Sequence, residues 1–320
     1  MKKISRREVI RTASAFTLAS AAALSFSKPL IPKNTPDKGL NPSSFRIVHI
    51  TDLHLYEQRK AELKIKYFID SLNQLKPHPE FILNGGDNIM DSTETGYIET
   101  LRQWDIWEKS FNNSIRFPVF HCIGNHDVWG IGEKSGCTGS ESLFGKRMAI
   151  SKLGLKERFY SFDKNNWHFI VLDSTYIEKG YYTARLDDEQ FQWLIKDLES
   201  TPPTKSILIL SHMPILSGCV FMDGDNEKTG NWIVPGAWMH IDARKLKDLF
   251  IKHDNIRVCL SGHTHLHDEM IYNGISYHCN GAVSGGWWQG PYQETSPGFA
   301  VIDLYSDGNF KISYQSYSWE

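Results

Sequence analysis

Five short polar clusters follow five apolar runs in this chain of 320 residues. Thr51-Asp52-Leu53-His54 follows FRIVHI, and Gly85-Gly86-Asp87-Asn88 follows EFILN. Gly124-Asn125-His126-Asp127 follows FPVFHCI, Ser211-His212-Met213-Pro214 follows SILIL, and Gly262-His263-Thr264-His265 follows IRVCL. Imidazole nitrogens and carboxylate oxygens are ligands for Zn, Fe or Mn, and a carboxylate with two oxygens can bridge two ions. One ion needs three or four ligands, and seven good candidates are present, enough for two ions sharing one. Any single cluster of this kind is most simply a polar turn. Five in this order are a different matter.

The elements around the clusters explain how they meet. FRIVHI, EFILN and FPVFHCI read as strands, and the segments between them, RKAELKIKYFIDSLNQL and GYIETLRQWDIWEKSF, carry helical apolar spacing. This β-α-β order predicts parallel pairing in a sheet covered by helices. FYSFDKNNWHFIVLD reads as a hairpin turning near Lys164 to Asn166, DDEQFQWLIKDLES as a helix with an acidic first turn, and SILIL as a strand. The helix DARKLKDLFIKH leads to the strand IRVCL, and ISYHCN followed by GFAVIDLYSDGNFKISYQSYS is expected to be antiparallel, turning at SDGN. The expectation is one α/β domain with two β layers and outer helices. In such sheets, ligands bind beyond the carboxyl ends of the strands, which is where all five clusters fall. The glycines before Asp87, Asn125 and His263 are expected to let the backbone turn there.

The N-terminus has another character. A basic start, an uncharged Ala/Leu/Ser-rich run from Thr12 to Ser27 and then KPLIPKNTP form the three-part layout of an export signal. Ser5-Arg6-Arg7-Glu8-Val9-Ile10 resembles the twin-arginine signal, read by export machinery rather than acting as a stable membrane anchor. Residues 1–25 are thus expected to be a signal, 26–44 a Pro-rich linker and 45–320 the folded domain, exported to a periplasmic or extracellular location. Without residues 1–25 the chain keeps 30 basic and 36 acidic side chains, a net charge of about −6. That balance gives no electrostatic footprint for a nucleic-acid polymer. Of the five cysteines, Cys122, Cys259 and Cys279 read as buried small hydrophobes, whereas Cys137 and Cys219 lie in loop-like segments and could pair.

Taken together, DLH, GGDN, GNHD, SHMP and GHTH resemble the signature of the calcineurin-like metallophosphoesterase superfamily, spread over residues 52 to 265. The resemblance implies a four-layer α/β/β/α sandwich of mixed sheets with a dinuclear metal centre at the strand C-terminal ends. It also implies that Asp52, His54 and His265 hold one divalent ion and Asn125, His212 and His263 the second, with Asp87 bridging. His126 is then the non-ligand histidine that stabilises or protonates the leaving oxygen, oriented by Asp127. The implied activity is hydrolysis of a small-molecule phosphoester by a metal-activated hydroxide attacking phosphorus in line. The ions are expected to be Mn, Fe or Zn, since Asp, Asn and His admit all three.

Two further segments bear on substrate choice. The long loop ILSGCVFMDGDNEKTGNWIVPGAWMH is expected to overhang the site, and NGAVSGGWWQGP to approach it with Trp287 and Trp288 on the rim. DGDNE lacks the ligand spacing of a calcium loop and reads as a solvated acidic turn. His168, His267 and His278 have no motif partner and read as structural or surface residues. No Arg or Lys lies inside the five motifs, which favours a phosphodiester over a more highly charged phosphomonoester. The alternatives are a broad phosphomonoesterase or, from another class, a non-catalytic carbohydrate-binding protein with structural metals, in which His126 and Asp127 would have no purpose.

Overall fold

The computed structural model describes residues 43–178 and 180–319; the export signal and most of the linker read from the sequence, residues 1–42, lie outside them. Among the described residues no helix is long and apolar enough to cross a membrane.

The first sheet grows from β1 (Ser44–Ile50), α1 (Ala61–Gln74), β2 (Phe81–Asn84), α2 (Tyr97–Ser110) and β3 (Val119–His121). β1, β2 and β3 pair in parallel through these two helical crossovers, as the alternating pattern requires. The C-terminal hairpin, β12 (Gly298–Tyr305) and β13 (Phe310–Ser316), adds antiparallel strands on the other side of β1, giving the order β13-β12-β1-β2-β3.

The second sheet holds β4 (Tyr160–Lys164), β5 (Trp167–Leu172), β8 (Ser206–Ser211), β9 (Ile256–Ser261), β10 (Asp268–Tyr272) and β11 (Ile275–Cys279), in the order β10-β11-β9-β8-β5-β4. Its central strands β5 and β8 are buried at every position, hence their unbroken apolar runs. Helices α4 (Asp188–Ser200) and α5 (Ala243–Phe250) belong to this half. Asp187 starts α4 by accepting a hydrogen bond from the Gln190 amide at 2.9 Å.

Side-chain alternation sorts the core. Phe45 and Ile47 of β1, Phe81 and Leu83 of β2, and Ala300 and Ile302 of β12 share one apolar cluster with Trp167, Phe169, Leu208, Leu210, Val258 and Leu260 of the second sheet. The intervening residues Val48, Ile50, Ile82, Phe299 and Val301 pack with Ile65, Phe68, Leu72, Trp104 and Trp107 of α1 and α2. Ile170, Leu172, Ile207 and Ile209 pack with Leu194 and Leu198 of α4 and Leu246 and Phe250 of α5. Apolar contact therefore runs helices, sheet, sheet, helices, each fully buried side chain of this size being worth ~1.5–3 kcal/mol.

Three details depart from the sequence reading. β11 does not join the C-terminal hairpin: it pairs in parallel with β9 and antiparallel with β10, through a turn at Asn273 and Gly274, both at positive φ. That Asn-Gly dipeptide between β-branched and aromatic residues is a strong hairpin signal. The hairpin β6 (Thr175–Glu178) and β7 (Tyr181–Ala184) and the short helix α3 (Lys146–Lys152) are additional elements. All five cysteines are free, so Cys137 and Cys219 are not paired; Cys137 lies against Gly130, whereas Cys219 packs with Cys279 and Leu266. His168 and His278 are buried, in keeping with structural residues, and His168 is held between Asp163 and Asp197 at 2.7 and 2.9 Å.

Candidate metal centre

All five clusters leave the carboxyl ends of parallel strands, three from the first sheet and two from the second. Short backbone contacts lash them together: the Asp52 amide donates to Gly86 O and the His54 amide to Asp87 O, both at 3.0 Å, and the Gly262 amide to His212 O at 2.9 Å.

The ligand-bearing residues themselves make the turns. Asp52, His54, Asp87, His263 and His265 all adopt left-handed backbone conformations, with φ of 57°, 43°, 54°, 73° and 60°. Non-glycine residues held there cost about 1–3 kcal/mol each and persist where the surroundings over-determine them. Gly86, before Asp87, makes the expected turn with φ of 101°, but the other two glycines serve another purpose. Neither Gly124 nor Gly262 has positive φ, but a Cβ on Gly124 would lie 2.1 Å from Asp87 Oδ1, and one on Gly262 would lie 2.0 Å from Thr51 Oγ1 and 2.4 Å from Asp52 Oδ2. These glycines let neighbouring clusters touch.

Asp52, His54 and His265 each offer a ligand atom, all within 4.8 Å of one another, and so do Asp87, His212 and His263. In the first group His54 Nε2 and His265 Nε2 are 3.0 Å apart, and Asp52 Oδ1 lies 3.8 and 3.6 Å from them. Asp52 Oδ2 is occupied by the Thr51 hydroxyl and the His263 amide, whereas Oδ1 is buried with no hydrogen-bond donor. His265 Nδ1 donates to Gly285 O at 2.6 Å, which leaves a lone pair on Nε2 facing His54. Two nitrogens so close in a buried place need a shared proton or a shared cation, and a neighbouring orphan carboxylate oxygen favours the cation.

The second group has the same logic. His212 Nδ1 donates to Gly85 O at 2.8 Å, so Nε2 faces inward, 3.2 Å from His263 Nδ1, 2.9 Å from Asn125 Oδ1 and 3.3 Å from Asp87 Oδ2. Asp87 Oδ2 is also 3.7 Å from His54 Nε2, so this carboxylate stands between the groups. Burial pushes the His54 and His265 imidazoles down and His263 down to about 3, leaving them neutral as ligands must be. Burial also acts on His212 and Asp87, but their mutual attraction wins: the carboxyl is held well below the usual range and His212 is pushed up to about 9. The donor set fits two divalent ions sharing Asp87.

His126 and Asp127 part company. His126 is the more exposed, its amide donating to Asp87 Oδ1 at 2.8 Å, its Nδ1 3.4 Å from Asp91 Oδ1 and its Nε2 4.0 Å from Asp87 Oδ2. Burial works against charging this imidazole, but Asp87 and Asp91 outweigh it and raise its pKa. Asp127 does not orient His126. It is fully buried and accepts from the amides of Asp87, Asn88 and Gly124 at 3.0, 2.8 and 2.9 Å, which fastens two ligand turns to each other. Asp91 is the site residue that the motifs did not mark, and a carboxylate four places after Asp87 was the only signal.

These groups open on a cavity of about 240 Å³. The long loop does overhang it, through Asp223 and Trp238, and Tyr182 of β7 and Tyr292 complete the wall. Asp223 is fixed by the Tyr292 hydroxyl at 3.0 Å and the Gln293 amide at 2.8 Å, and the Asn226 side chain donates to Val220 O and Asp223 O at 2.7 and 3.0 Å, so the acidic turn is in part structural. Trp287 lines the cavity with its ring 4.5 Å from His265, as expected of a rim residue. Trp288 does not: it is fully buried and its Nε1 donates to Leu53 O and His54 O, each at 3.0 Å. Among the described residues none lining the cavity is Lys or Arg.

The profile of the calcineurin-like phosphoesterase family matches residues 45–267. The chain is 25% identical over 290 residues to a 3',5'-cyclic-nucleotide phosphodiesterase of Nostoc sp., covering 85% of this chain and 93% of the relative. It is 22% identical to the 3',5'-cyclic adenosine monophosphate phosphodiesterase CpdA of Escherichia coli, over 82% and 86% of the two chains. A probable glycerophosphodiester phosphodiesterase of Arcobacter nitrofigilis is 24% identical, over 72% and 75%. Among solved structures, a dimetal phosphatase of Danio rerio superposes with a TM-score of 0.59 at 16% identity, over 86% of this chain and 97% of that one, which is a likeness of fold.

Proposed function

The chain belongs to the calcineurin-like phosphoesterase family, hydrolases that act on phosphoric ester bonds at a dinuclear divalent metal centre, and from that premise we propose a phosphodiesterase acting on a small diester that carries an aromatic group, a cyclic nucleotide being the first candidate. The observation that carries this reading is the cavity wall, which combines two metal-ligand groups joined at Asp87 with aromatic rings and, among the described residues, no Lys or Arg. A diester has one negative charge fewer than a monoester and needs no Lys or Arg beside the ions. The names of the Nostoc and Escherichia coli relatives support the same substrate class.

In this reading Asp52, His54 and His265 hold one ion, Asn125, His212 and His263 the other, and Asp87 both. Such ions, when bound, lower the pKa of water and offset charge on the phosphoryl oxygens. The protein supplies orientation. Gly285 and Gly85 carbonyls fix the His265 and His212 rings, and Asp127 holds the Asp87 and Asn125 turns in register. His126, whose charged form Asp87 and Asp91 favour, faces the cavity and offers its Nε2 proton to the leaving oxygen. Trp287 and Tyr292 give the aromatic group a face and an edge to stack against. The set of Asp, Asn and His favours Mn, Fe or Zn.

Residues 5–10 support export by the twin-arginine route, hence a periplasmic or extracellular enzyme whose folded domain spans residues 45–320. The carbohydrate-binding alternative leaves the His126–Asp91 pair without work. The decisive experiment is hydrolysis of bis-p-nitrophenyl phosphate, p-nitrophenyl phosphate and a 3',5'-cyclic nucleotide with Mn or Zn added. Diester turnover exceeding monoester turnover supports the proposal; a preference for the monoester makes it a phosphomonoesterase, and no turnover of any ester refutes catalysis.

A further inference from the structure

Behind the turn that carries His263 and His265 sits a second sulfur-containing cluster. Cys219 begins a short 3-10 turn in the overhanging loop and Cys279 ends β11; with a carboxylate oxygen of Asp268 their sulfurs lie within 4.8 Å of one another. Both are buried, in an apolar cluster with Leu266. The Thr264 hydroxyl, on the residue between the two histidines, bridges them at 3.3 Å from Cys219 Sγ and 3.1 Å from Cys279 Sγ, and the Cys279 thiol donates to Gly262 O at 3.1 Å.

We propose that Cys219 and Cys279 form a reactive dithiol that closes to a disulfide when the folded protein meets a disulfide oxidant, tying the loop that carries Asp223 and Trp238 to β11 beneath the metal centre. Asp268 prepares the pair by accepting from Ser217 Oγ and from the Gly218 and Cys219 amides at 3.1, 2.6 and 2.8 Å, which holds the cysteine turn against β10 and β11. One Asp268 oxygen is taken by three donors and the other is buried with no donor among the described residues, so zinc held by this carboxylate and the two sulfurs is the competing reading that the test below separates. Cys219 is the entry point, since its loop is on the surface, with Met222 and Trp232 more than half exposed. The Ser217 and Thr264 hydroxyls lie 2.9 and 3.3 Å from Cys219 Sγ, and the Thr264 hydroxyl can donate to its thiolate.

The exchange balances. Cys219 Sγ loses its proton and attacks one sulfur of the oxidant, whose S–S bond breaks and whose departing thiolate takes that proton. Cys279 Sγ, losing its own proton, then attacks the Cys219 sulfur of the mixed disulfide and expels the second thiol. Two protein thiols are oxidised and one disulfide is reduced to two thiols. Closing the gap requires the Thr264 hydroxyl to leave its bridging position.

The test compares the full chain, metals retained, after dithiothreitol and after glutathione disulfide, by alkylation and non-reducing peptide mapping and by thermal unfolding. The expected result is a peptide pair joining Cys219 to Cys279 and an unfolding temperature higher by roughly 5 °C in the oxidised sample. Cys219→Ser should lose both, and Cys137→Ser should keep both. Cys219 and Cys279 both still alkylatable after oxidant, a cross-link through Cys137, or stoichiometric zinc that Cys219→Ser releases would overturn the proposal. If Cys219→Ser does not fold, the wild-type comparison still decides it.

Discussion

His126 Nδ1 lies 3.4 Å from a carboxylate oxygen of Asp91, while Asp127, its neighbour in the chain, turns away to accept three backbone amides. The two acids therefore have separable jobs. Asp91 also accepts from the Thr93 and Glu94 amides at 2.9 and 3.2 Å, bonds an asparagine oxygen can keep in part, so Asp91→Asn mainly removes the charge that steadies the imidazolium, and kcat should fall by part of the about 10²- to 10⁴-fold that a general acid contributes, with KM little changed. The loss should be larger for an alkyl diester than for a p-nitrophenyl diester, whose leaving group needs less protonation. Asp91→Glu should recover part of it. Asp127→Asn should instead lower metal content and unfolding temperature together. Equal losses on both leaving groups would show Asp91 to be only structural.

The glycines Gly124 and Gly262 are places where two clusters touch. Alanine at either puts a methyl group within 2.4 Å of Asp87 Oδ1 or of Asp52 Oδ2. Overpacking of this kind costs about 1–3 kcal/mol, and here the displaced atoms are ligand oxygens. Gly262→Ala is expected to unfold at a lower temperature and to bind less than two ions, measured by calorimetry and elemental analysis.

How much of this was legible in the chain follows from what kind of interaction fixes each part. β2 and β8 are apolar runs buried at every position and β1 and β9 nearly so, so composition marks them, and the residues after each run, like those after the shorter β3, emerge at the carboxyl ends of parallel strands. That is why Asp52, Asp87, Asn125, His212 and His263 could be placed together. Asp91 was hidden because its approach to His126 depends on a cross-loop contact, Ser92 N to His126 O at 3.0 Å, which no local spacing encodes. Trp287 and Trp288 have the same local sequence, and only tertiary packing sends one ring to the cavity and the other into the core. The β10–β11 turn is legible in Asn273-Gly274, whereas the parallel pairing of β11 with β9 is a long-range contact that no turn residue marks.

Asp87 connects the two ligand groups, with Oδ2 3.3 Å from His212 and 3.7 Å from His54. Asp87→Ala should therefore lose metal as well as most turnover, whereas His126→Ala should keep two ions and lose about 10²- to 10⁴-fold in rate. Elemental analysis beside diester hydrolysis separates the two. Full activity in a metal-free Asp87→Ala protein would sink the assignment.

A pH effect on stability is expected away from the centre. Burial opposes charging His168, but Asp197 and Asp163 outweigh it and raise its pKa above the ordinary 6.5. A raised folded value means the stabilisation is complete below pH 6.5 and is lost as pH rises through the folded value. The gap in unfolding temperature between wild type and His168→Gln should be widest at mildly acid pH and narrow toward alkaline pH. A gap that widens as pH rises would contradict the ion pairing.

Trp287 and Trp288 make the sharpest contrast. Trp288 is fully enclosed and its indole N–H satisfies Leu53 O and His54 O, so it supports the backbone that carries a ligand. Truncating such a side chain to alanine costs about 3–5 kcal/mol, and Trp288→Ala is expected to unfold early or fail to accumulate. Trp287 faces the cavity, 4.5 Å from His265 and 5.3 Å from Tyr292, with its carbonyl held by Arg59. Stacking of a base on an aromatic face is worth about 1–3 kcal/mol. Trp287→Ala should thus keep its unfolding temperature and raise KM for a cyclic nucleotide by about 10- to 100-fold, while leaving a dialkyl phosphate nearly untouched. The comparison of KM across those two substrates isolates the ring from the metals, because both diesters present the same charge to the ions and only one presents an aromatic face to the wall.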